Sequence, residues 1–318
     1  MHPRNLVETA ALLTLWLVLL FWSILTLRPP QAAAADAVRE SFASPEQAAQ
    51  KFLHAAETND IPALTLMFGT DGKPLIESGD AVQDKNQRAA FARVARQALK
   101  LQVDPNDDNR VFILTGEDQD PFAVPLIRKG GAWQFDTSAG LTEVLARRIG
   151  ANELDAISVC NGYVEAQNTY ATDDLDGNGV AQYAQKFISS AGKRDGLYWP
   201  TQATGPVSPI SVRIMRAAAE GYAKPDEKPV PYHGYFYKIL KGQGPNAAGG
   251  ARDYLQQGLM IGGFALVVWP AEYGASGIKT FLVNQDGVVY EKDLGRQTAS
   301  KAQAMTRFNP DKTWHGLR

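Results

Sequence analysis

Asp174, Asp176 and Asn178 place side-chain oxygens at alternate positions of a short polar stretch, followed at once by Gly179 and, further on, by Gln185. Hard cations such as Ca²⁺ need clustered oxygens, and alternate residues of a tight loop can turn theirs inward, as in the first half of an EF-hand loop. Gly179 supplies the sharp turn. Where that pattern calls for a bidentate glutamate, this chain has Gln185, which brings one oxygen and no charge. An ion held by Asp174, Asp176, Asn178 and Gln185 would therefore be held weakly. The competing expectation is a hydrophilic helix-to-helix turn with no cofactor, its Asp and Asn side chains capping the N–H groups of a second helix.

Other reactive side chains are sparse. His54, His233 and His315 are the histidines beyond the N-terminal stretch, and none stands in an H-E-x-x-H, G-x-S-x-G or phosphate-loop setting. Asp107-Asp108 and Asp173-Asp174 fall in polar stretches where acidic residues are common. Cys160, the only cysteine, allows neither an internal disulfide nor a thiolate zinc site. No catalytic residues are assigned. The enzymatic alternative is a hydrolase that uses His54 or His233 with a nearby carboxylate as base in a cleft between domains. A formal net charge of −2 supplies no basic field for nucleic acid.

The elements that must position these residues follow from periodicity. Runs at 264–269, 279–284 and 288–293 are rich in β-branched and aromatic residues and separated by turn formers, which predicts an antiparallel meander. The first run is apolar on both faces, so it is expected to be central and covered. Its cover is expected from a helix at 152–170, through a spine of Leu154, Ile157 and Val164. Upstream, Ser44 caps a helix with Pro45 in its first turn, Gln47 as capping-box partner, and Phe52 on its apolar face. A short helix at 62–68 and a longer one at 82–101 follow, then strands at 110–116, 122–129 and 132–136. A helical region opening at Ser138 is expected to break near Gly150. Further expectations are an apolar-periodic segment containing Tyr183, Phe187 and Ile188, a helix at 210–222, a strand at 231–240 carrying Tyr235 and Tyr237, and a helical turn at 252–257.

These elements predict an α+β chain of two domains, 44–149 and 150–318, the first made of helices plus a meander in the manner of cystatin-like or nuclear transport factor-like folds. Arg4 precedes an uncharged run at 9–27, and Gln31-Ala32-Ala33-Ala34-Ala35-Asp36 offers a small-residue exit. Residues 1–35 are thus expected to be a signal peptide, or else an uncleaved anchor. Either leaves the remainder periplasmic or secreted, touching membrane only through that segment.

The segments GGAWQFDTSAG, NELDAI, DGLYWP, YHGYFYKIL, FALVVWPAEYGASGIKTFLVNQDGVVYEKDLG and FNPDKTW, in that order, resemble a bacterial secreted family of unknown function, of the DUF2950 type. The resemblance spans about residues 44–314 and brings no activity or site residues with it. The C-terminal half is also similar to the globular heads of type IV pilins and type II secretion pseudopilins, where a helix packs across an antiparallel sheet and a loop sometimes holds Ca²⁺. The chain lacks the pilin processing signature. The expectation is a non-catalytic exported envelope protein that binds or assembles with an envelope protein or cell-wall component. The alternatives are the periplasmic hydrolase and a Ca²⁺-stabilised structural module.

Overall fold

The computed structural model describes residues 39–199, 207–210 and 230–317. The targeting segment lies outside them, as does the expected 210–222 helix beyond Ile210. From Arg39 onward the described residues pack as one compact unit, an α+β body with two hydrophobic cores. No helix among the described residues is long and apolar enough to cross a membrane.

The first core lies under helices α1 (Pro45–Thr58), α2 (Ile61–Phe68), the single-turn α3 (Lys73–Ile76) and α4 (Ala81–Gln97). Ser44 caps α1 as expected, accepting from Gln47 N at 3.2 Å, while Gln47 Oε1 accepts from Ala43 N. The sheet against these helices contains β1 (Leu99–Asp104), β2 (Asp107–Thr115), β3 (Asp120–Pro121), β4 (Leu126–Lys129) and β5 (Ala132–Phe135). Its order is β1-β2-β4-β5, with β3 beside β2. The helix expected to reach residue 101 stops at Gln97, and Leu99 to Asp104 pair instead with β2. Leu101 continues the helical spacing of Val94 and Ala98, so local pattern favoured the wrong element until a partner strand decided it.

Helix α5 (Thr137–Thr172) runs 36 residues without a break. Gly150 faces open space on its exposed side, and a glycine in a helix costs only about 1 kcal/mol relative to alanine. The expected break is therefore absent. Gly140, Arg148, Asn152, Ala156 and Cys160 are buried on this helix. Steps of four residues drift by about 40° per step on a 3.6-residue helix, so this buried stripe winds around α5 and serves both cores.

Gly140 fits where a side chain would not. A Cβ there would lie 2.5 Å from Val124 Cγ2 and 2.7 Å from Ala123 O. Gly140→Ala, which would stabilise an isolated helix, is expected to destabilise this protein by about 1–3 kcal/mol through overpacking. Urea unfolding checks it, and a gain in stability would show that α5 does not press on residues 123–124.

The second core carries the expected meander. Strands β6 (Tyr235–Leu240), β11 (Ala265–Pro270), β12 (Lys279–Asn284), β13 (Tyr290–Asp293) and β14 (His315–Gly316) form one antiparallel sheet, ordered β14-β13-β12-β11-β6. Every residue of β11 is buried. Gly287 closes the β12–β13 turn at φ 75°. Helix α6 (Thr298–Ala304), not foreseen from the sequence, also packs on β11.

The spine of α5 differs from the expected one. Leu154 is 70% exposed and Ile157 and Val164 are peripheral, whereas Ala156, Cys160, Tyr163 and Tyr170 are buried in the core. Tyr163 meets Phe264 edge-to-face at 5.5 Å and donates to Ala265 O at 3.3 Å. Two other segments also depart from expectation. The strand expected from 231 begins at Tyr235, because His233 and Gly234 both take positive φ and form a tight turn closed by Tyr232 and Tyr235. At 252–257 short strands β8 (Arg252–Asp253) and β9 (Leu255–Gln256) replace the expected helical turn, their partners β7 (Gly242–Gln243) and β10 (Leu259–Met260) being too short to read from sequence.

Candidate functional site

The loop at 174–185 keeps only part of its expected ligand set together. Asp174 Oδ2 accepts from Gly179 N at 3.0 Å. Asp176 Oδ2 accepts from Asn178 Nδ2 and Gln182 Nε2 at 2.9 and 2.6 Å. Gln185 turns away and donates to Gly258 O at 2.7 Å, because residues 180–188 are not helical and Tyr183 N is drawn instead to Met260 O. The expected second helix is absent, so the side chains cap the loop itself. Asp174 Oδ1 and Asp176 Oδ1 are buried and unpartnered among the described residues. No group of three or more His, Cys, Asp or Glu side chains there could hold a metal. With Gln185 withdrawn, 1 mM Ca²⁺ is expected to leave the melting temperature unchanged. A rise that Asp176→Asn abolishes would instead make Asp174 and Asp176 ligands.

Among the described residues, His233 is the histidine hydrogen-bonded to a carboxylate: its Nδ1 lies 2.8 Å from Asp155 Oδ2, an α5 side chain, and its ring stacks on Tyr232 at 4.1 Å. His54 and His315 are exposed. Cys160 is fully buried, which pushes its thiol far above the ordinary range and leaves it inert. Tyr235, on the strand expected from the sequence, is buried too.

Two cavities lie elsewhere, and Asp84 borders both. The larger, about 730 Å³, runs between α3 and the β11–β12 turn, where Asp71, Lys73, Glu77, Glu272 and Tyr273 line it. Asp71 is paired with Arg39, and Lys73 with Glu77 at 3.5 Å. Neither His233 nor Asp155 lines either cavity.

The smaller, about 180 Å³, has aromatic walls of Phe52, Phe68, Phe91 and Phe122. Its polar members are Asp84, Gln87 and Arg88, from α4, and Arg148, from α5. Asp84 is 5% exposed and Arg148 7%. Their bonds to protein are made with the backbone around α3. Ser78 N donates to Asp84 Oδ2 at 2.9 Å, and Arg148 Nη1 and Nη2 donate to Pro74 O and Leu75 O at 2.5 and 3.0 Å. Arg88 donates to Ile76 O at 2.7 Å and to Asn59 Oδ1 at 2.8 Å. Burial raises the Asp84 carboxyl above its usual range, against the Ser78 bonds and the two guanidiniums. Burial likewise lowers both arginines, against the pull of Asp84.

One atom on each buried residue is left over. Asp84 Oδ1, an acceptor, and Arg148 Nε, a donor, are inaccessible and have no hydrogen-bond partner among the described residues. Such atoms cost about 1–3 kcal/mol each when left unsatisfied, and here both belong to residues on the wall of one aromatic cavity. Sequence reading missed this site. The one signal was spacing: Arg148 stands four residues after Val144 and four before Asn152, on the inner stripe of α5.

The comparisons bear on the whole body. A family model described as "Protein of unknown function (DUF2950)" matches residues 39–317. No curated protein and no solved structure matches the chain.

Proposed function

Given that the chain belongs to the DUF2950 family of proteins of unknown function, we propose that it is a non-catalytic envelope protein that binds a small molecule in the cavity beside Asp84 and Arg148. One observation carries this reading: two charged residues at least nine-tenths buried, Asp84 and Arg148, line the same aromatic cavity, with Arg88 beside them. An apolar cavity on which a few polar groups converge is the usual form of a small-molecule site. The export expected from residues 1–35 supports an envelope setting, with the ligand drawn from there or presented by a cell-wall or envelope partner. The test is thermal shift of the full chain against a library of small metabolites. Some compounds should raise the melting temperature, and Phe91→Trp, which fills the cavity, should abolish the effect. No shift across the library would sink the reading.

Hydrolysis is the second reading, favoured by the His233–Asp155 pair. A carboxylate that fixes an imidazole is half of a general-base device. Turnover of an ester or peptide probe, lost in His233→Gln with the fold intact, would displace the binding reading.

A further inference from the structure

Strand β1 stands at the end of the order β1-β2-β4-β5 and pairs on one side only, with β2. Gly116 N donates to Ala98 O at 2.9 Å, and with Leu99 opposite Thr115 this sets the phase of the ladder. Lys100 and Gln102 turn their backbone groups toward β2, while Leu101 and Val103 turn theirs outward. Those outward groups find no backbone partner among the described residues. Val103 lies opposite buried Val111, yet is itself 52% exposed. We propose that a second copy of this chain covers this edge, its own β1 pairing antiparallel with β1 about a two-fold axis at Gln102.

Charge selects the second copy as the occupant. Lysine on an open strand edge commonly guards it against pairing, and Lys100 is exposed. The guard works where like meets like. About an axis at Gln102, however, Lys100 of each copy lies opposite Asp104 of the other, and opposite charges facing each other across strands stabilise the pair. Asp104 has room for this, since its Oδ2 lies 3.7 Å from Arg110 Nη1, too far for a hydrogen bond. Charge along the whole hairpin agrees. Antiparallel pairing lays its tip, with exposed Asp107 and Asp108, beside the root of the other copy, where exposed Arg93 and Lys100 stand.

The backbone agrees with the same register. Leu101 lies opposite Val103 of the second copy, so the two residues whose backbone groups point outward donate to and accept from each other, twice over by symmetry. Val103 then gains Leu101 as an apolar neighbour on the core side of the sheet. An axis at Leu101 would also satisfy the backbone, but it sets Lys100 against Gln102 and pairs no charges. The shared edge is small for a permanent dimer, so association is expected to rise with protein concentration.

Sedimentation velocity of the full chain from about 1 μM to about 1 mM tests this across the corresponding range of affinities. A dimer should grow in with concentration. Lys100→Glu should weaken it at least about ten-fold, and adding Asp104→Lys to that variant should restore it. Should the double variant fail to fold, single cysteines decide. A pair on the axis has its Cα atoms about 4.5 Å apart, within disulfide range, so Gln102→Cys should oxidise to a covalent dimer and Leu101→Cys should not. Cys160 is buried and takes no part. A monomer at every concentration would overturn the proposal. So would a dimer that Lys100→Glu leaves intact, or one that Leu101→Cys cross-links and Gln102→Cys does not.

Discussion

Phe52→Ala is expected to lower stability by about 3–5 kcal/mol, the range for truncating a core phenylalanine. Phe52 is 6% exposed and its ring lies 5.5 Å from Phe68, 4.9 Å from Phe91, 4.8 Å from Phe122 and 5.4 Å from Phe135, centroid to centroid. It thereby joins α1 to α2, to α4 and to the sheet through one side chain. The loss therefore removes burial and several edge or tilted ring pairs together, and the void merges with a cavity already present on that wall. Chemical unfolding measures the loss, with Leu66→Ala as control, since Leu66 is 54% exposed and exposed truncations stay within about 0.5 kcal/mol. A loss no larger than the control's would mean that this ring cluster does not hold the first core together.

What was legible in the sequence depended on whether the partner was near or far along the chain. The meander could be read because alternation and a local turn at Asn284–Gly287 specify it together, and the Ser44 cap because its partners lie within four residues. By contrast, Leu99 and Leu101 fit a helix by spacing and a strand by pairing with Thr115 and Ile113, and only the second fact is tertiary. The same holds at Tyr183, whose N–H goes to Met260 O and so prevents the expected helix. On α5 the apolar residues misled, because Leu154 is exposed while small and polar residues, Ala156 and Asn152, face inward. Asn152 bonds both Gln83 and Ser276 O, a role no apolar count reveals.

The candidate site was hidden for a related reason. Asp84 and Arg88 stand in a stretch of polar residues that reads as a solvated helix face. What buries Asp84 and half-buries Arg88 is the α3 segment, whose carbonyls at Pro74, Leu75 and Ile76 point at the guanidiniums. Only the i, i+4 run through Gly140, Val144, Arg148 and Asn152 carried a sequence signal.

Arg148→Met should be comparably damaging, costing about 3–5 kcal/mol, because methionine fills similar volume yet leaves Pro74 O, Leu75 O and a buried carboxylate with less compensation. Asp84→Asn should cost less, since the carboxamide oxygen can still accept from Ser78 N and no buried negative charge remains. Its clearer effect is on pH. Burial raises the Asp84 pKa in the folded state, so as pH climbs from the ordinary aspartate range through the raised value the unfolded chain has released a proton that the folded one retains. Stability contributed by that retained proton is full below the window and is lost across it as pH rises. Urea unfolding from pH 4 to 7 should therefore show a flatter, less falling profile for Asp84→Asn than for the native protein. Combining both substitutions should be less harmful than the sum, because each removes the charge that makes the other's absence costly. Identical pH profiles for native and variant, or simple additivity, would mean the two residues do not share one electrostatic site.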